Sequence, residues 1–425
     1  NCDGTDGACP KRPLLAKDRV RFVGEPIVLV VADSISNAKD AGELIEIDYD
    51  DLPVSMDLEV SENTIHPEAP GNVAFEWDLG DKLKTDAIFK KADKVVSMEV
   101  ANNRIIANSM EPRGCYAQWE NNKLHLSVSG QGVWTHKRFL SEILGLKGDQ
   151  IRVTTPDVGG GFGMKAMGYP EEFVVSFAAI HLKQPVRWMS ERTEAMLSDN
   201  AGRDLQHFAE LAFDANNKIV GYRVNTFCNL GAYNSRFGQN IQTGLFSKVL
   251  MGAYDVQNTY LNVLGIYTNT TQIDAYRGAG RPEAIYLLER MMDRAARELD
   301  IDPLELRRIN FIKKGNFPYQ SSTGEIIDVG DFDRVLSVAE ISADIKGFER
   351  RKKESKAKGR LRGLGLCYYI ESILGDPSEE AKVVFEEDGS VKIFVGTQSN
   401  GQGHETVFAQ FLSDQTGIPT EKIIV

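Results

Sequence analysis

The sequence contains few residues that commonly bind metal ions, and these are scattered. Its 425 residues include five cysteines and six histidines. No two cysteines lie about two to four residues apart, as a zinc ribbon or an iron–sulfur motif requires, and no His-Glu-x-x-His pair occurs. The odd number of isolated cysteines instead predicts reduced thiols in a reducing compartment.

Long apolar runs and an excess of positive charge are also absent. No stretch of about 18 uncharged apolar residues exists, so we predict no membrane partner. The 49 Lys and Arg against 61 Asp and Glu leave a net charge of -12, which argues against a nucleic-acid partner. The first residues show no basic segment followed by an apolar one, and the predicted location is therefore the cytoplasm.

Common phosphate-binding and hydrolase motifs are missing as well. No Gly-Lys-Ser/Thr sequence indicates a P-loop, and no Gly-x-Gly pair continues into the third glycine of a dinucleotide-binding fingerprint. No Gly-x-Ser-x-Gly elbow for a serine nucleophile occurs. The sequence therefore predicts neither a Rossmann site, nor a P-loop, nor a serine hydrolase.

The length and the 42% apolar content predict two or three globular domains of mixed α+β class. A buried strand at 27–31 and a helix at 34–47 predict a small α/β domain, and the few residues before this strand suggest that the domain is abbreviated at its start. Hairpins are predicted at 207–224 and 383–395, and a helix at 282–299. The predicted divisions are a small α/β domain (1–70), a linker (71–95), the first half of a large mixed α/β domain (96–345), a basic linker (346–363) and the start of its second half (364–425).

An internal repeat is the most informative feature of the chain. Residues 139–153 align without gaps with residues 411–425, and each copy follows an alternating strand and a Gly-Gln-Gly turn. The repeated unit is therefore a strand, the turn, a helix and a strand. The first copy continues into the glycine-rich segment 155–163, whereas the second stops on its last strand. We expect another polypeptide to continue the domain.

Four glycine-rich segments predict a cofactor site. Glycine lets backbone amides approach an anion closely, and three of the segments precede a predicted helix, whose N-terminus favours negative charge. Together they predict a large anionic cofactor held by many backbone contacts. The segments are 129–132, 159–163, 276–282 and 400–404.

Three motifs, in this order, resemble the molybdenum-binding subunit of the xanthine dehydrogenase and aldehyde oxidase family. They are Gly-Gly-Gly-Phe-Gly-Met-Lys at 159–165, Ala-Tyr-Arg-Gly-Ala-Gly-Arg-Pro-Glu at 275–283 and Gly-Gln-Gly-His-Glu-Thr at 401–406. Val-Gly-Glu-Pro at 23–26 resembles the family's small hammerhead domain. The resemblance implies molybdopterin cytosine dinucleotide, a sulfido or selenido ligand on molybdenum, and no direct protein ligand to the metal.

The resemblance also implies roles for individual residues. Gln131 and the amide of Gly163 would approach the apical oxygen on molybdenum, and Phe162 would line the substrate site. Arg277 would bring positive charge or its backbone to the molybdenum oxygens, while Gln402 and nearby amides would hold the pterin or its phosphates. The implied cofactor-binding residues are Gln131, Gly132, Gly160, Gly161, Phe162, Gly163, Arg277, Gly278, Ala279, Gly401, Gln402 and Gly403.

Two residues narrow the range of substrates that the resemblance implies. Ala166 stands where the purine hydroxylases carry an acidic residue, and Gly278 stands where carbon monoxide dehydrogenase carries a copper-binding cysteine. The catalytic base of the family is a glutamate near the end of the molybdenum domain, which we expect on the partner chain. A divided molybdenum subunit is similar to the nicotinate-hydroxylating members of fermenting bacteria. This likeness predicts conversion of nicotinate to 6-hydroxynicotinate with oxygen from water.

The implied reaction needs partners, because its two electrons would leave through [2Fe–2S] clusters and FAD that this chain does not carry. The predicted partners are a second molybdopterin subunit, an iron–sulfur subunit, an FAD subunit and a small aromatic heterocycle as substrate. Two alternatives remain open. One is the same chemistry on another N-heterocycle or an aldehyde, and the other is a non-catalytic subunit that docks the electron-transfer chains or delivers cofactor.

Overall fold

A computed structural model describes all 425 residues and contains both helices and strands throughout most of its length. The strands are β1 (Val73–Gly80), β2 (Lys94–Asn102), β3 (Ile105–Ile106), β4 (Gly114–Glu120), β5 (Lys123–Val128), β6 (Ile151–Thr154), β7 (Val186–Met189), β8 (Ala201–Gly202), β9 (Leu205–Phe213), β10 (Ile219–Gly231), β11 (Thr259–Tyr267), β12 (Tyr319–Gln320), β13 (Ile326–Ile327), β14 (Lys382–Phe385), β15 (Val391–Phe394) and β16 (Ile423–Ile424). The helices are α1 (Ile35–Glu43), α2 (Lys82–Phe89), α3 (Trp134–Leu144), α4 (Pro170–Leu182), α5 (Arg192–Ser198), α6 (Gly238–Asn240), α7 (Arg281–Glu298), α8 (Pro303–Asn310), α9 (Phe332–Ser342), α10 (Phe348–Ala357) and α11 (His404–Thr416). None of the helices is both long and apolar enough to cross a membrane.

The largest sheet has the strand order β1-β11-β10-β9-β2, in which only β10 and β11 run parallel. Helix α7 packs against β2 and β9, as the spacing of its apolar residues predicts. Leu288, Met292 and Ala295 of α7 are buried in the main hydrophobic core. The predicted hairpin at 207–224 forms as β9 and β10, and the hairpin at 383–395 forms as β14 and β15.

The internal repeat is present as two similar units. In the first, β4 pairs antiparallel with β5, and α3 connects β5 to the parallel strand β6. In the second, β14, β15, α11 and β16 repeat this arrangement. Leu140 of α3 is fully buried, whereas the second unit has a core of only four buried residues. The predicted order of strand, Gly-Gln-Gly turn, helix and strand is confirmed in both copies.

The small N-terminal domain forms only in part as predicted. Helix α1 begins after Ser34, whose hydroxyl caps the helix by accepting a hydrogen bond from the amide of Asn37 (3.1 Å). The strand predicted at 27–31 was wrong, since these residues pair with no neighbouring strand. Val28 and Val31 are exposed. Apolar β-branched residues favour a strand, but a strand also needs a partner for its backbone hydrogen bonds.

Both segments predicted to be linkers contain regular structure. Strand β1 and helix α2 lie within 71–95, and β1 pairs with β11 at the edge of the largest sheet. The alternation of Val73, Phe75, Trp77 and Leu79 has the period of a strand, although prolines and glycines precede it. The basic segment contains α10, a surface helix whose Lys, Arg and Glu residues favour helix formation.

Candidate cofactor site

Gln131 lies directly against the glycine-rich segment at 159–163. Its side-chain Oε1 accepts a hydrogen bond from the amide of Gly163 (2.8 Å), and its own amide donates to the carbonyl of Lys165 (2.9 Å). A Cβ atom at Gly161 would lie 2.4 Å from Gln131 Oε1, so only glycine permits this approach. The Nε2 group of Gln131 donates to no other group of the chain and is available to a ligand.

The loop at 276–280 packs beside Phe162. The amide of Arg277 donates to the carbonyl of Phe162 (2.8 Å), and the Arg277 guanidinium carbon lies 5.7 Å from the centre of the Phe162 ring. Phe162 is 41% exposed and is therefore not a core residue. Arg277 is also exposed and forms no salt bridge. Both side chains can therefore contact a bound molecule.

Gln398, which no sequence motif indicated, joins the second repeat to the first. Its Oε1 accepts from the amide of Gly132 (2.6 Å), and its Nε2 donates to the carbonyl of Gly130 (2.8 Å). These two backbone groups flank Gln131, so Gln398 holds the turn that presents it. Hydrogen bonds thus connect the four glycine-rich segments into one continuous group.

Two sets of backbone amides in this group remain free. The amides of residues 160–162 and 401–403 donate no hydrogen bond within the chain. Gln402 does not use its side chain for a ligand here, because its Oε1 accepts from the amide of Asn400 (2.5 Å). Free amides in glycine-rich loops, and before a helix such as α11, bind anionic groups. The residues present therefore fit a cofactor that carries phosphate.

An ion pair between the buried Lys165 and the half-buried Glu111 supports the glycine-rich loop at 159–163. Lys165 Nζ lies 2.8 Å from Glu111 Oε2 and 2.7 Å from Ser129 Oγ, and the amide of Gly159 donates to the same carboxylate oxygen (2.8 Å). Burial lowers the pKa of Lys165. Hydrogen bonds from Lys165, Ser129 and Gly159 overcome the effect of burial on Glu111 and lower its pKa. No group of His, Cys, Asp and Glu side chains in the chain has the arrangement of a metal-ion site.

A second buried pair lies under the Gly-Gln-Gly turn. Nδ1 of His136, in the first turn of α3, is 2.7 Å from Glu172 Oε2 on α4. A Cβ atom at Gly130 would lie 3.0 Å from His136 Nε2, so the ring lies directly beneath the turn. Burial and the more distant Arg236 lower the pKa of His136, but the carboxylate of Glu172 has the larger combined effect and leaves it raised.

This pair predicts a pH-dependent stability. A histidine whose folded-state pKa is raised stabilises the fold fully below its unfolded pKa of about 6.5, and this contribution is lost as the pH rises through the folded value. The free energy of unfolding should therefore decline above about pH 6.5 more steeply in the wild type than in His136→Gln. Urea denaturation over a pH series measures this, with exposed His181→Gln as the control. Parallel curves for the wild type and His136→Gln would contradict the prediction.

Comparison with known families accounts for most of the chain. Residues 65–311 match one molybdopterin cofactor-binding domain, and residues 339–425 match a second. Residues 3–53 match the a/b hammerhead domain of aldehyde oxidase and xanthine dehydrogenase. The first of these matches alone covers more than half of the chain and includes three of the four glycine-rich segments.

Three individual proteins illustrate the similarity of this chain to its relatives. The nicotine 6-hydroxylase large subunit of Paenarthrobacter nicotinovorans is 34% identical over 97% of this chain and 53% of its own length. The carbon monoxide dehydrogenase large chain of Hydrogenophaga pseudoflava is 31% identical over 97% of this chain and 56% of its own. The nicotinate dehydrogenase large molybdopterin subunit of Eubacterium barkeri is 25% identical over 80% of each chain.

A solved structure shows the same fold. Quinoline 2-oxidoreductase from Pseudomonas putida 86 superimposes with a TM-score of 0.86 and 30% identity, over 97% of this chain and 55% of that one. This chain thus spans just over half the length of that structure and of the first two relatives. The family predicted from the three motifs is confirmed. The chain belongs to the molybdopterin-binding large subunits of the xanthine dehydrogenase and aldehyde oxidase family.

Proposed function

We propose that this chain holds a molybdopterin-bound molybdenum as part of a multisubunit enzyme that hydroxylates an N-heteroaromatic compound. The observation that carries the proposal is the meeting of four glycine-rich segments around Gln131, Phe162 and Arg277, with free amides in two of them. When bound, the cofactor supplies two-electron redox chemistry and hydroxylation with oxygen from water. The chain's own residues bind and orient the reactants.

Each of the three side chains has a distinct task in this proposal. Gln131 is held through its Oε1, which leaves its Nε2–H group free to donate a hydrogen bond to the cofactor. Arg277 has no carboxylate partner, so its full positive charge can stabilise negative charge that develops during the reaction. Phe162 presents an exposed aromatic ring, which packs well against a flat heterocycle. The free amides at 160–162 and 401–403 bind the anionic part of the cofactor.

The names of two relatives support an N-heteroaromatic substrate, since one acts on nicotine and a structural relative acts on quinoline. Nicotinate is the specific substrate that we propose, and the nicotinate dehydrogenase subunit of Eubacterium barkeri, at 25% identity, supports it. Another relative, a carbon monoxide dehydrogenase at 31% identity, points instead to the oxidation of carbon monoxide. Gly278, in place of a copper-binding cysteine, disfavours that reaction, and Ala166 disfavours purines.

The proposal includes partner subunits, because electrons must leave the site. The five cysteines are single and unpaired, and no group of residues is arranged to hold a metal cluster. We infer an iron–sulfur subunit and an FAD subunit that receive these electrons. The cytosine dinucleotide form, a sulfido or selenido ligand and a cytoplasmic location belong to the same proposal, as do the domain limits 1–70, 96–345 and 364–425.

Purification of the native complex tests the proposal. We expect one molybdenum per copy of this chain, co-eluting chains that contain iron and flavin, and turnover of nicotinate but not xanthine. Turnover of nicotine or quinoline but not nicotinate would overturn the specific substrate and leave the substrate class standing. Turnover of carbon monoxide or an aldehyde without any N-heterocycle would overturn the substrate class and leave the cofactor proposal standing. An inert complex that lacks molybdenum would overturn both and favour a docking or delivery role.

A further inference from the structure

Arg203 lies beneath the Arg277 loop and outside every motif found in the sequence. Its side chain is only 8% exposed, and its guanidinium donates to the carbonyl oxygens of Tyr276 (2.7 Å) and Arg277 (2.8 Å). The guanidinium carbon also lies 4.9 Å from the centre of the Tyr276 ring. A single side chain therefore holds the two carbonyl groups on either side of the Arg277 Cα atom.

Glu283 binds the same guanidinium group, at the nitrogen that also donates to the carbonyl of Tyr276. Its Oε1 accepts from Arg203 Nη1 (3.1 Å), and the carboxylate is fully buried in the first turn of α7. Its other oxygen has no partner in the chain. A buried carboxylate with one free oxygen depends on its arginine for charge compensation, so Arg203 and Glu283 fix one another.

The backbone that carries Arg203 is strained. Arg203 and Asp204 both have left-handed φ angles, 65° and 69°. Asp204 is held there by hydrogen bonds from Arg104 (2.9 Å) and Asn229 (3.0 Å). A Cβ atom at Gly202 would lie 2.4 Å from the Cβ of Tyr276, so the strained turn at 202–204 packs directly against the Arg277 loop. Surroundings that maintain such backbone strain are typical of functional sites.

The Arg277 loop is therefore held on both sides. The amide of Arg277 is bound to the carbonyl of Phe162, itself in a left-handed conformation with a φ of 55°. The carbonyl of Arg277 and that of the preceding residue are bound by Arg203. The backbone at Arg277 is immobilised while its side chain remains free of ion pairs. Arg203 thus binds the backbone segment from which the Arg277 side chain extends, next to Phe162.

We propose that Arg203 is a positioning residue for the reaction at this site and acts through the Arg277 backbone without touching the substrate. This inference rests on the proposed function. Lysine keeps the positive charge of arginine but cannot reach three oxygens with a planar fork. Because small displacements of positioning groups slow chemistry strongly, Arg203→Lys should lower kcat by about 10- to 100-fold and change KM by less than about threefold.

The test uses the holoenzyme complex with matched variants. Arg307→Lys is the control, because Arg307 is a fully buried arginine that binds Glu289, Asp293 and a backbone carbonyl away from the loop. In Arg203→Lys with full molybdenum content, we expect an altered Mo(V) electron paramagnetic resonance signal and faster hydrogen exchange at 275–280. We expect neither change in Arg307→Lys. An unaltered kcat and signal in molybdenum-loaded Arg203→Lys would overturn the proposal.

A second variant and a second measurement cover the remaining cases. If Arg203→Lys does not fold, Glu283→Gln removes the charge that anchors Arg203 and should shift kcat and the signal in the same direction by a smaller factor. Unchanged values in Glu283→Gln would then overturn the proposal. If the wild-type complex contains no molybdenum, the proposed function fails. Hydrogen exchange at 275–280 still decides whether Arg203 fixes the loop, and equal exchange in Arg203→Lys and Arg307→Lys counts against it.

Discussion

Replacing Gln131 by glutamate is expected to lower the turnover of the assembled enzyme by about 10²- to 10³-fold, as loss of one preorganised hydrogen-bond donor commonly does. Glutamate retains an oxygen that can accept from the amide of Gly163, now 2.8 Å from Gln131 Oε1. It has no N–H group to replace Nε2, and it brings a negative charge towards an anionic cofactor. Steady-state kinetics normalised to molybdenum content measures the loss.

Gln410→Glu is the matched control for this prediction. Gln410 is exposed on α11, so the same change of charge there should leave turnover within about twofold of the wild type. Circular dichroism should show both variants folded. If Gln131→Glu carries a full complement of molybdenum and turns over at the wild-type rate, Gln131 has no role in the reaction.

The largest loss of stability is expected at Arg113, which is buried at the start of β4. Its Nε lies 2.6 Å from Asp199 Oδ1 and its Nη1 lies 3.0 Å from Glu171 Oε2. The guanidinium carbon is also 3.8 Å from the centre of the Tyr169 ring. Arg113→Ala removes the ion-pair partner of two buried carboxylates and should lower the free energy of unfolding by about 3–5 kcal/mol. Urea denaturation followed by tryptophan fluorescence measures this change.

Arg350→Ala provides the comparison, because Arg350 makes an exposed i,i+4 ion pair with Glu354 (2.8 Å) on α10. Such a pair contributes only about 0.3–0.5 kcal/mol. The two variants remove the same side chain, so their difference reports the effect of burial. If Arg113→Ala loses less than about 1 kcal/mol, the buried carboxylates have another means of compensation, such as protonation.

The charge cluster around Arg113 also supports the cofactor site. The carbonyl of the next residue, Gly114, accepts from the amide of Ser129 (2.9 Å), immediately before the Gly-Gln-Gly turn. The buried charge cluster therefore fixes the start of β4, to which the residue just before the turn is hydrogen-bonded. We expect Arg113 variants that fold to bind molybdenum less well, even though Arg113 does not reach the loops that surround Gln131.

Several local features could be predicted because their signals lie close together in the sequence. The period of apolar residues predicted α7, and the helix predicted at 34–47 forms as α1, which ends earlier, at Glu43. The same kind of signal failed at 27–31, where no neighbouring strand exists, and was obscured at β1 by nearby prolines and glycines. A strand depends on a partner elsewhere in the chain, so local pattern alone could not decide either case.

The side chains that hold the site together could not be predicted. Gln398 binds the turn around Gln131 across 266 residues, and Lys165 meets Glu111 across 54. Arg203 reaches the carbonyl of Arg277 across 74 residues. None of these pairs follows a helical or strand period, and none lies in a recognised motif together with its partner.

The sequence by itself determined the repeated unit, the order of the glycine-rich segments and the family to which the chain belongs. These follow from short-range patterns and from residues whose backbone freedom is intrinsic. Only the tertiary structure decided which backbone amides have no acceptor within the chain, which group of the Gln131 side chain is left for a ligand, and how the Arg277 backbone is held. Those properties depend on hydrogen bonds between segments far apart in the chain, and such bonds form only when folding brings these segments together.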